Sequence, residues 1–308
     1  MSSNAVLSTM WAIGRFDKLA NFFDAGATLG FARFELNHGI NSAMLAGLSL
    51  DGRIASIHEP CPADVSMREL KKRNWLISAL DEEQRRSGVA AMVRSIDLAH
   101  DLGAGLVVVH PGQVDIDPEL EPAVHRLYRE GKYGQPEYTE ARSRMVNARA
   151  AQAEANMRSV RRSLVELAEH AAKKGVRLGL ENRYHYPEIP LPDELEELLG
   201  LGLEGVGHWH DVGHARILEN QGLGTHEEWL RRFGTRILGV HLHDVDGLTD
   251  HLAAGLGGID WEMVARHLPR QALRTCEFQF SNSPEEVAAG LRWLEEMGCV
   301  ESRQDPHG

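Results

Sequence analysis

Sixteen histidines against three cysteines is the feature of this 308-residue chain that bears most on chemistry. Cys61, Cys276 and Cys299 are scattered, without a CxxC pair or an even framework, which argues against a thiolate metal site and a disulfide scaffold. Imidazoles and carboxylates gather instead in short strings. These are His58–Glu59, His110–Pro111–Gly112, Glu181–Asn182–Arg183, Asp211 with His214, His241 with His243 and Asp244, Asp250–His251, and Glu277. Nitrogen and oxygen donors without sulfur are the ligand types of a divalent cation. Singly, each has an ordinary explanation: a lone histidine makes a hydrogen bond, Glu277 faces water at a strand end, and Glu181–Asn182 caps a helix. Jointly those explanations weaken, because LGLE, CE and VHLHD set charge or imidazole directly after runs that should be wholly buried. A buried, ionised, unpartnered carboxylate is very costly, and a bound cation removes that cost.

The elements that must position these groups are short apolar runs at residues 5–12, 31–37, 53–59, 106–110, 176–181, 205–211, 237–244 and 274–278. Amphipathic stretches lie between them. In 154–174, Met157, Val160, Leu164, Leu167, Ala168 and Ala171 recur at helical spacing, and Gly175 ends the helix. The stretch 81–102 behaves alike through Val89, Met92, Val93, Ile96 and Ala99. Strand and helix in alternation predict parallel strands with right-handed crossovers, and eight such strands close an α/β barrel, the (β/α)8 TIM barrel. No GxGxxG turn supports an open doubly wound sheet. The interval from Val109 to Val176 is oversized and must carry more than one helix, and its first part, 113–138, reads as an elaborated loop. With no linker or repeat, residues 1–308 read as one domain carrying an insertion at 113–156, a lid or a dimer contact.

The ordered strings HPG (110–112), LEN (180–182), HDVGH (210–214), VHLHD (240–244), DHLAAGLGG (250–258) and CE (276–277) resemble the xylose isomerase-like TIM-barrel superfamily. That superfamily holds sugar isomerases and epimerases, dehydratases and endonuclease IV. The resemblance runs from about the first strand to Glu277 and leaves 113–156 without a counterpart. It implies that Glu181, Asp211, His241 and Glu277 hold one divalent metal, and that His214 contacts substrate or metal. Likeness to endonuclease IV in particular would have His58 and His110 complete a second metal with Glu181, and His214, His251 and the carboxylate of Asp250 supply a third; these residues are otherwise additional substrate contacts. One departure stands out: the endonuclease aspartate falls on Thr249, so Asp250 serves only if the loop shifts.

The activity this implies is isomerisation or epimerisation of a sugar, or a sugar-derived hydroxy-carbonyl compound, through an enediolate stabilised by Mn, Mg, Co or Zn. Glu181 and Glu277 are the expected acid and base. Arg183, His214 and Asn182 are the expected substrate contacts, with Trp11, Phe34, His38, Tyr184 and Trp209 available for stacking or for packing. A dehydratase or lyase would use the same residues if a hydroxyl lies beta to the abstracted proton. An endonuclease IV-like phosphodiesterase would use the extra histidines. The net charge of −12 and the lack of lysine and arginine near the histidine-bearing loops disfavour nucleic acid. Arg142, Arg144, Arg149, Arg158, Arg161 and Arg162 cluster largely on a helix and read as a solvated face or a subunit contact. A non-catalytic sugar-binding barrel is weakened by the retention of both glutamates. No apolar run reaches spanning length, and the expected setting is a cytoplasmic homo-oligomer acting on a small carbohydrate.

Overall fold

A computed structural model describes residues 4–50 and 52–301, so the outermost residues of the 1–308 span, and Asp51, lie outside the described residues. The strands are β1 (Ala5–Ser8), β2 (Arg33–Leu36), β3 (Ile54–His58), β4 (Leu106–Val109), β5 (Arg177–Glu181), β6 (Val206–Asp211), β7 (Ile237–Leu242), β8 (Asp244–Asp246), β9 (Thr249–Leu252) and β10 (Leu273–Cys276). Eight of them close a parallel barrel in the order β1-β10-β7-β6-β5-β4-β3-β2. The remaining two, β8 and β9, form a separate antiparallel hairpin. All eight expected runs are therefore barrel strands. The first is shorter than its apolar run, because after Ser8 the chain turns into a 3-10 segment, Thr9–Ala12, and Ser8 Oγ accepts from Met10 N.

Closure sends every barrel strand's C-terminal end to one mouth. His58, Glu181 and Asp211 are the last residues of β3, β5 and β6, and His110 and Glu277 directly follow β4 and β10. Leu106, Val108 and Trp209 cluster apart from the larger core, in which Phe22, Phe34, Met157, Leu164 and Leu167 are buried. The indole of Trp209 fits because both neighbouring strands offer glycine beside it: a Cβ on Gly239 would stand 2.2 Å from Trp209 Cζ3, and one on Gly179 3.0 Å from its Cβ.

The helix Glu82–Asp101 starts where Asp81 accepts from Gln84 N, as the periodicity predicts. The interval after β4 differs from its expected form. Residues 120–129 are helical, and a 39-residue helix, Pro136–Lys174, begins well before 154 and ends at Gly175 with φ 67°. Turn-forming residues suggest a loop there, but Val124, Tyr138, Ala141 and Met145 are buried with Tyr186 and Leu218 in their own apolar cluster. That burial favours helix where local propensity does not, and Pro136 suits the first helical turn. Among the described residues no helix is long and apolar enough to cross a membrane.

Candidate metal centre and active site

Glu181, Asp211, His241 and Glu277 converge from β5, β6, β7 and the end of β10. His241 Nδ1 lies 2.7 Å from Glu181 Oε1, 3.2 Å from Glu277 Oε2 and 3.4 Å from Asp211 Oδ2. One donor atom from each lies within 4.8 Å of the others, and all four side chains are buried. Neighbouring strands in register produce this: Asp211 pairs with His241, and Thr275, two residues before Glu277, pairs with His241 from the other side.

The electrostatics follow from burying three carboxylates around one imidazole. Burial raises the Glu181 pKa, but Arg183, His110 and His241 outweigh it and hold the group well below the usual carboxylate range. Asp211 is likewise lowered, burial being overcome by His214, His243 and His241. Burial pushes His241 down, yet Glu277, Glu35, Asp211 and Glu181 raise it well above the ordinary imidazole value. Glu277 is lowered too, burial being overcome by His241 and His251, so three carboxylates that favour ionisation share a small buried volume that needs positive charge. Glu277 Oε1 is buried there without a hydrogen-bond partner. An oxygen-rich donor set with one imidazole fits a divalent cation of the Mn, Mg, Co or Zn type.

Further imidazoles border this centre. His110 Nε2 lies 2.8 Å and His58 Nε2 3.9 Å from Glu181 carboxylate oxygens, and the three form a second group of metal-type donors. His58 also stacks on His241, centroids 5.4 Å apart. A third group is His214, His243 and His251. This group holds His214 and His251 as expected, with His243 beside them, while Asp250 is set back from it. Asp250 lies 3.1 Å from His251 Nδ1, so it orients that ring, while β9 carries both on the hairpin. Both nitrogens of His243 are engaged, Nε2 donating to Asp211 Oδ1 at 2.9 Å and Nδ1 accepting from His251 N at 2.9 Å. Burial and Arg183 depress His214 to about 4 against the pull of Asp211, whereas Asp250 and Glu277 overcome burial and raise His251 to about 10.

Arg183 meets two carboxylates, Glu181 and Glu188, and Glu188 also accepts from Lys71. Asn182, expected as a substrate contact, ties β5 to β6. It is fully buried, its Nδ2 donates to Asp211 O, and its Oδ1 accepts from Asp211 N, both at 2.8 Å. Trp11, Phe34 and Trp209 are buried packing groups, with Trp209 edge-on to His241 at 5.0 Å. Tyr184 sits 5.0 Å from His214 and His38 5.2 Å from His58, beside the donor groups. Four arginines of the stretch meet carboxylates on their own and neighbouring helices: Arg149 pairs with Glu194, Arg158 and Arg161 with Glu154, and Arg162 with Glu82.

Sequence reading missed Glu35. It is fully buried on β2, accepts from Ser56 Oγ at 2.7 Å, and lies 3.1 Å from His241 Nε2. An acidic residue amid the apolar run FARFEL was the available signal.

With a carboxylate–imidazole cluster at its C-terminal mouth, the closed parallel barrel falls in the class of (β/α)8 TIM barrels. Within it, this chain belongs to the xylose isomerase-like TIM barrel family, whose profile matches residues 65–297. An uncharacterized protein of Methanocaldococcus jannaschii, MJ1311, is 27% identical over 195 residues, covering 62% of this chain and 55% of that protein. The chain thus spans about half the length of that relative. The fold is similar to a D-tagatose 3-epimerase-like protein, at 19% identity, TM-score 0.64, over 95% of this chain and 96% of that one. It is also similar to the IOLI protein with a bound zinc atom, at 15% identity, TM-score 0.65, over 96% and 97% of the two chains.

Proposed function

We propose that this protein is a divalent-metal-dependent isomerase or epimerase of a small sugar, or of a sugar-derived hydroxy-carbonyl compound. The observation that carries the proposal is the meeting of Glu181 and Glu277 at His241 Nδ1 from separate strands, with Asp211 as the third carboxylate. Glu181, Asp211, His241 and Glu277 would hold the ion. When bound, it supplies Lewis-acid stabilisation of the negative charge that develops on the substrate's carbonyl oxygen as a neighbouring proton leaves.

The two glutamates divide the proton work. Glu277 Oε1 is unpartnered and is the oxygen suited to take a proton from carbon. Glu181 is ionised and held by Arg183 and His110, which fixes the second carboxylate on another side of the substrate. His214, largely neutral at pH 7, keeps Nε2 free because Nδ1 faces Asn182 O, and suits a substrate hydroxyl. Residues 1–308 act as one barrel domain in this reading. Gln113, Ile116, Asp117 and Glu121 line a cavity with His185 and Glu188, which suits a framing role for the insertion. The three unpaired cysteines suit a reducing, cytoplasmic setting.

The test is solvent exchange. Metal-loaded protein incubated with a panel of ketoses and hydroxy-keto acids in D2O should place deuterium at the carbon beside the carbonyl of one of them. Glu277→Gln should slow that exchange by about 100-fold or more. A Gln variant that keeps its metal and exchanges at the wild-type rate overturns the assignment.

A second reading, phosphodiester hydrolysis, is favoured by the His58–His110–Glu181 donor group, since such chemistry draws on several ions. Against it, Arg149, Arg161 and Arg162 are already paired with carboxylates, which weakens that stretch as a phosphate-gripping surface. Nicking of abasic DNA by the metal-loaded protein would decide in its favour.

A further inference from the structure

The interior of a TIM barrel is ordinarily filled by branched apolar side chains, yet β2 sends a glutamate there. Glu35 pairs in register with Ser8 on β1 and Ser56 on β3, and no part of its side chain reaches solvent. Burying an ionisable carboxylate is costly unless its oxygens are satisfied. Each oxygen has one partner: Oε2 accepts from Ser56 Oγ at 2.7 Å, and Oε1 lies 3.1 Å from His241 Nε2. The second contact joins residues 206 positions apart, across the barrel interior.

An imidazole that donates from one nitrogen presents a lone pair at the other. With Nε2 directed at Glu35, the nitrogen left facing Glu181, Asp211 and Glu277 is Nδ1, which would present its lone pair to an ion held among those carboxylates. The stacked ring of His58 and the edge-on indole of Trp209 restrict the plane of the imidazole, but neither selects its tautomer. Glu35 does.

We infer that Glu35 is a positioning residue of the metal centre, fixing His241 in the Nε2–H tautomer so that Nδ1 serves as the ligand, with Ser56 holding the carboxylate in place. The inference rests on the metal role proposed for His241. A carboxylate behind a ligating histidine both orients the ring and increases its donor strength.

The experiment is Zn2+ affinity by competition with a chromogenic chelator, together with 15N–1H correlation spectra of the histidine rings in the Zn2+-loaded protein. Wild type should show His241 protonated at Nε2. Glu35→Gln and Glu35→Ala should each lose about 10- to 100-fold in Zn2+ affinity, at unchanged secondary structure by circular dichroism. Wild-type affinity and an unchanged His241 signature in folded Glu35 variants overturn the inference while leaving the metal reading intact. If neither Glu35 variant folds, Ser56→Ala decides: a several-fold affinity loss supports the inference and wild-type affinity overturns it. A wild-type protein that takes up no Zn2+, Mn2+, Co2+ or Mg2+ overturns the metal reading, and this inference with it.

Discussion

Glu181 Oε1 stands 2.7 Å from Nδ1 of His241, a residue 60 positions further along the chain and two strands away around the barrel. The contact is possible only because both strands end at the same mouth, where Asp211 and Glu277 meet the same nitrogen. The energetic consequence is a centre whose carboxylates demand positive charge, and that demand leads to the first prediction.

Purified protein dialysed against a divalent metal should retain one ion per chain by elemental analysis. Asp211→Asn and His241→Gln should lose more affinity than the roughly 10- to 100-fold typical of changes behind the ligands. His58→Ala should leave the tightest site occupied. Three tightly held ions in the wild type would instead favour the multinuclear hydrolase.

Asn182 locks β5 to β6 by two hydrogen bonds to the Asp211 main chain. Asn182→Ala leaves a buried N–H and C=O unsatisfied, and each such group costs about 1–3 kcal/mol. Urea unfolding should show that loss, with weaker metal binding because Asp211 loses its tether. Unchanged stability with altered substrate affinity alone would return Asn182 to the substrate-binding role.

Three buried histidines form a chain beneath the site. His208 Nδ1 donates to Leu180 O, His210 Nδ1 donates to His208 Nε2, and His226 Nε2 donates to His210 Nε2, at 3.0, 3.2 and 3.0 Å. Burial lowers His208 and His226 to about 4 from the ordinary 6.5, so the folded protein keeps them neutral while the unfolded chain protonates. Their stability contribution is complete above about pH 6.5 and is lost as pH falls toward 4, at about 1.4 kcal/mol per pH unit for each histidine. His38 and His214, also held near 4, add to the same slope. Urea titrations between pH 7 and 5 should therefore show a shallower decline for His226→Gln than for wild type. Parallel slopes would refute the assignment.

Gly239 makes room for the Trp209 indole, which lies edge-on to His241. Gly239→Ala overpacks this layer and should cost about 1–3 kcal/mol, read by denaturant unfolding, with a shifted tryptophan emission. Wild-type stability would mean the layer yields more easily than its contacts suggest.

Much of this was legible in one dimension. The eight apolar runs become the eight barrel strands, and Gly175 ends the long helix, because backbone periodicity and helix stops are local properties. The residues that gather at the mouth were legible as well, since a charged or imidazole side chain after a buried run is conspicuous by type. The helix at 120–129 was not, because its apolar partners Tyr186 and Leu218 lie far along the chain.

Local pattern thus determined which strands form and which residue types their ends carry. Barrel closure decided the rest: that Glu35 reaches His241, that Asn182 bonds to the Asp211 main chain, and that His243 gathers with His214 and His251. Those outcomes depend on stagger and on distances across the cylinder, which no spacing along the chain encodes.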